Sequence, residues 1–164
     1  MQNLLKVVRW TSLLSLPVFL FATPNSSAWA GNIGTCTTNL ISSGVDRSSA
    51  TSACSDAVEP KDLASCVARI NVETDIEGTD ALQSCYRVRR PFDLADCVVD
   101  ISSELAPDQS AMILDSCQRS LLPTRHAECT LDLASVSDIS DEDALKSCLA
   151  AEITPGKVAP EANE

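Results

Sequence analysis

The spacing of cysteine against proline constrains this chain more than any other feature. Cys54, Pro60 and Cys66 stand with five residues in each gap, and the pattern returns as Cys85, Pro91, Cys97 and as Cys117, Pro123, Cys129. After Cys148 the proline slips by one position, to Pro155, and no cysteine follows. Four units are marked out in this way: Cys36 to Cys54, Cys66 to Cys85, Cys97 to Cys117 and Cys129 to Cys148. Their leading cysteines recur about every 31 residues, a period typical of two-helix repeats.

Within a unit the apolar residues follow a helical period. Leu63, Cys66 and Ile70 lie three and four residues apart, as do Leu94, Cys97 and Ile101, which places each trio on one helical face. Leu40 and Leu133 take the place of Ile70 and Ile101 in the outer units, and His126 stands where Leu63 and Leu94 stand. A proline before each of these segments suits a first helical turn, where its missing N–H costs nothing. The second segment of a unit carries Leu82, Leu114 or Leu145 three residues before its cysteine; the first unit has Thr51 there and is the weakest copy. Thr79, Pro107-Asp108 and Ser140 with Asp143 read as helix starts, the last as a capping box. Gly44 and Gly78 fall in the turns between the two segments. The fold class expected is all-α, four tandem disulfide-stapled helical hairpins forming a short solenoid or compact bundle.

Met1 to Ala30 reads as a cleaved signal peptide. Lys6 and Arg9 give a positive start, Leu13 to Ala22 is a short apolar run, and Ala28-Trp29-Ala30 is an A-x-A cleavage site. The run is too short to span a bilayer, so no stable membrane insertion is expected after cleavage. Removal leaves about 134 residues, the length of one domain. These divide into a cysteine-rich helical domain at 31–153 and a C-terminal tail at 154–164, TPGKVAPEANE, which has no helical face and reads as disordered. The destination expected is the periplasm, the extracellular space or an equivalent oxidising lumen.

All 8 cysteines lie in the mature part, and an even number in an exported chain implies disulfides. Two pairing schemes respect the repeat. One staples each unit across itself as Cys36–Cys54, Cys66–Cys85, Cys97–Cys117 and Cys129–Cys148. The other joins neighbours as Cys54–Cys66, Cys85–Cys97 and Cys117–Cys129 and strands Cys36 and Cys148. Both set the partners at similar heights on antiparallel helices; the first uses every cysteine and is the scheme expected. Closing a loop of this length contributes about 3 kcal/mol. That matters here, because aromatic residues make up 4% of the chain.

Charge limits the partners. Two of the 12 basic residues, Lys6 and Arg9, leave with the signal segment while all 23 acidic residues stay, so the net charge moves from −11 to −13. A surface this acidic does not suit nucleic acid. The turns within units are acidic, with Glu73, Asp75, Glu77 and Asp80 in one and Asp138, Asp141, Glu142 and Asp143 in another. Two of the turns between units are basic, with Arg87, Arg89 and Arg90 in one and Arg119, Arg125 and His126 in the other. In a stack of hairpins these two kinds of turn emerge at opposite ends.

No residue set points to catalysis, a cofactor or a metal. The cysteines lack the two-to-four-residue spacing of zinc sites, the acidic turn at 138–143 lacks the glycine and distal glutamate of a calcium loop, and there is no Cys-x-x-Cys. The only histidine, His126, reads as a partly buried replacement for leucine. The surface feature singled out is Arg87, Arg89 and Arg90 flanked by Tyr86 and Phe92, a contact site for an acidic partner or an anionic head group. The function expected is therefore a non-enzymatic exported module that binds a protein partner or serves a structural role. The alternatives are a cation-binding or cell-envelope stress protein that uses the acidic turns, and a thiol-redox sensor.

Overall fold

In the computed structural model eight α-helices and one short 3-10 helix account for the ordered elements among the described residues, 27–153, and no strand occurs there. Side chains are described from Asn32 to Glu152. Most of the expected signal segment and the whole of the expected tail lie outside this range; residues 27–30 fall in the first turn of the first helix.

The helices are α1 (Ser27–Ser42), α2 (Arg47–Asp56), α3 (Pro60–Glu73), α4 (Gly78–Arg87), α5 (Pro91–Glu104), α6 (Ser110–Arg119), α7 (Pro123–Ala134) and α8 (Asp141–Ile153). Pro60, Pro91 and Pro123 occupy the first turns of α3, α5 and α7, where proline's fixed φ suits the helix and no backbone hydrogen bond is lost. The second helices start close to the expected places. Gly78 rather than Thr79 opens α4, and Pro107–Gln109 forms the 3-10 turn ahead of α6. Ahead of α8, Ser140 Oγ accepts from the Asp143 N–H at 3.1 Å and donates to the Asp143 carboxylate at 2.7 Å. The serine hydroxyl, and not its backbone N–H, therefore carries the return bond of the capping box. Asp46, unremarked in the sequence, caps α2 by accepting from the N–H groups of Ser48 and Ser49. These bonds, led by those from the Ser48 and Ser49 side chains, hold its carboxyl well below the usual range.

Four disulfides each join two successive helices: Cys36–Cys54, Cys66–Cys85, Cys97–Cys117 and Cys129–Cys148. Hairpin then packs on hairpin. α1 lies against α3, α3 against α5 and α5 against α7, while α4 lies against α6 and α6 against α8. The core is one continuous buried cluster that reaches from Cys36 to Leu145. Leu63, Cys66, Val67 and Ile70 supply the inward stripe of α3, and Leu94, Cys97, Val98 and Ile101 that of α5. Burying a side chain of this size stabilises by about 1.5–3 kcal/mol, so these stripes and the bridges among them fix the rows. Val45, Ile76 and Leu105 are buried where the chain turns from the first helix of a hairpin into the second.

The turns within hairpins meet at one end. Gly78 passes so close to the α1–α2 turn that an added Cβ would stand 1.9 Å from the Ser43 carbonyl oxygen. The residues after α3 and those before α6 line a common hollow. The three connections between hairpins, at 57–59, 88–90 and 120–122, gather at the other end.

Candidate partner-binding end

Each connection between hairpins is three residues long and is held by the helices on either side. The spacing between connections is set by two side chains. The Arg90 guanidinium donates to the Leu121 carbonyl at 2.9 Å and pairs with Asp93 at 3.0 Å, which ties the second connection to the third. From the last helix Glu152 accepts from the Leu121 N–H at 2.9 Å and from Ser120 Oγ at 2.8 Å, which ties the third connection to the end of α8. Between the first and second connections no such bond is made among the described residues, and a groove of about 460 Å³ opens there. Ala57, Leu63, Val88 and Pro91 supply its apolar lining with Tyr86; Asp56, Glu59, Asp62 and Arg89 supply its charges.

Large apolar side chains concentrate at this end. Val58 is 85% exposed, Leu121 70%, Tyr86 49%, Leu122 48% and Phe92 46%. Single exposed apolar residues are ordinary on a protein surface; here five of the large ones fall at one end of the bundle. Tyr86 and Arg89 both line the groove, and Arg87 lies exposed in the last turn of α4. Arg90 does not stand with them: its guanidinium is engaged with Leu121 and Asp93, and it borders a smaller hollow of about 160 Å³ with Leu122 and Arg125. The basic cluster read from the sequence is thus divided by the structure between two gaps. Val58, Leu121 and Leu122 were not singled out in the sequence, although Val58 and Leu121 occupy the same place as Arg89, four residues after a cysteine.

His126 lies close to this end, inside the bundle. It is 1% exposed, not partly exposed as its place in the sequence suggested, and neither ring nitrogen has a partner among the described residues. Burial pushes its imidazole below its ordinary value, and the Glu152 carboxylate offsets part of that push. Thr130, one turn further along α7, is also buried with an unpartnered hydroxyl. His126 and Thr130 occupy the positions that Leu63 and Val67 hold in α3 and Leu94 and Val98 hold in α5.

At the opposite end the acidic turns bring together no group of three metal-binding side chains among the described residues. No helix among those residues is long and apolar enough to cross a membrane, and no cysteine there is free. No protein-family model, curated protein or solved structure matches the chain.

Proposed function

We propose that this chain is an exported, non-enzymatic binding module whose partner is another protein, held through the end where the hairpins connect. The observation that carries the reading is the concentration of Val58, Tyr86, Phe92, Leu121 and Leu122 at that end of a bridged bundle. Exposed aromatic and aliphatic side chains beside arginine are the material of interface centres. A scaffold stapled by four disulfides presents them with little loss of freedom on binding. The bridges also support export, because disulfides persist in oxidising compartments. The N-terminus of the purified exported protein is then expected at Gly31.

Site-specific photo-crosslinking tests the reading. A photoreactive phenylalanine analogue placed at Phe92 or Leu121 of the full chain is expected to yield a discrete adduct with one protein, identified by mass spectrometry. The same analogue at Val72 or Val136, exposed at the opposite end, is expected to yield none. Equal labelling from all four positions, or no adduct from any, would overturn the proposal.

A further inference from the structure

The three gaps at the connecting end are not alike. Arg90 bolts the second connection to the third, and Glu152 bolts the third to α8. Glu59 stands five residues after Cys54, as Arg90 stands five after Cys85. A carboxylate cannot donate to a carbonyl across the gap as a guanidinium does, and the first gap stays open at about 460 Å³ against about 160 Å³ at the second. The open volume falls within the range of about 300–1,000 Å³ that binding sites occupy.

Its charges remain available. The side chains of Asp56, Glu59, Asp62 and Arg89 form no hydrogen bond or ion pair with other described residues, whereas Arg69, Arg90, Arg119 and Lys146 are all paired. Three carboxylates against one guanidinium give the groove a negative rim over an apolar floor. Tyr86 adds an aromatic wall, which also attracts a cationic group. An occupant that matches this lining has an aliphatic side chain next to a positive one, and the Arg89 guanidinium remains to donate a hydrogen bond to one of its carbonyl oxygens.

We propose that the groove between the first two connections is a peptide subsite for an aliphatic residue adjacent to lysine or arginine on the partner. The inference rests on the protein-binding reading and names the chemistry of one site within it. The floor is preformed, since Leu63 is 3% and Cys85 2% exposed and the Cys66–Cys85 bridge joins α3 to α4. Selectivity comes from the rim, because a like charge set against it is repelled.

The test is an NMR titration of the oxidised, isotope-labelled full chain with two acetylated, amidated hexapeptides, Gly-Ser-Leu-Arg-Ser-Gly and Gly-Ser-Leu-Glu-Ser-Gly. The first is expected to give saturable shifts at the amides of Val58, Glu59, Leu63, Tyr86 and Arg89, and the second none. Asp62→Asn is expected to weaken the first peptide about tenfold, in line with loss of one rim charge. Glu59→Arg supplies the missing bolt and is expected to abolish the shifts while the melting temperature holds. Absence of shifts with the arginine peptide, equal shifts with both peptides, or undiminished binding by Glu59→Arg would overturn the subsite. Should the crosslinks at Phe92 and Leu121 form while the peptides fail, the subsite falls alone; should both fail, the binding reading falls with it.

Discussion

Gly78, the first residue of α4, and Gly34, inside α1, behave as opposites because of what stands opposite them. A Cβ at Gly78 would meet the Ser43 carbonyl oxygen at 1.9 Å, while one at Gly34 meets nothing within 4 Å. Gly78→Ala must push two turns apart and is expected to cost about 1–3 kcal/mol; Gly34→Ala is expected to gain up to about 1 kcal/mol through helix propensity. Chemical denaturation of the two variants checks both signs. His126 and Thr130 are the corresponding pair for polarity. An imidazole held below its ordinary value near 6.5 by burial takes up its proton more readily in the unfolded chain. Its contribution is therefore unimpaired above about pH 6.5, and stability is lost as the pH falls from there toward the folded value. His126→Leu is expected to flatten the profile as the pH falls below about 6.5. With Thr130→Val added, stability at neutral pH is expected to rise by about 1–3 kcal/mol for each orphaned group removed. An unchanged slope in the single variant would assign the acid sensitivity elsewhere. Nothing in the letters distinguishes a histidine that has found a partner from one that has not; the leucines at the matching places in α3 and α5 signal only that the position faces inward.

Among the helices, the legible features were those that depend on local chemistry. Proline in the first turns of α3, α5 and α7, the three-and-four spacing of Leu63, Cys66 and Ile70, and the serine ahead of α8 each act within a turn or two, and each stands in the structure close to where it was read. Ile76 and Leu105 went unread because they plug turns, where no period marks an inward position; Arg90 was legible as a surface charge, but its bond to Leu121 was not, because the carbonyl lies 31 residues away. The bridges differ in protection for a similar nonlocal reason. Seven of the bonded cysteines are buried, and only Cys129, on the helix that also carries His126 and Thr130, is partly accessible. Exposed bridges yield first to reductant. Titration with a phosphine reductant followed by mass spectrometry is expected to open Cys129–Cys148 ahead of the other three. Simultaneous opening of all four would show that the bundle unfolds as one unit before any bridge is reached.

Across the whole molecule, cysteine and proline spacing conveyed the helical hairpins, and the stacking of hairpins conveyed which connections share an end; charge did not, because Asp56, Glu59 and Asp62 stand at the first connection where the other two are basic. The groove was not legible, since it arises from a bond that Glu59 does not make and Arg90 does. Full reduction is expected to remove about 3 kcal/mol for each loop of 18 to 20 residues released, with loss of cooperative melting by circular dichroism. The path of the chain has a practical side as well. Each hairpin brings the backbone back to where it set out, so α1 begins and α8 finishes at the connecting end, and α8 finishes beside the exposed Leu121 and Leu122. An affinity handle or fluorescent fusion spliced after Ile153 therefore crowds the face meant for a partner. The turn at 135–140, on the far side of the bundle, is the better place to attach one.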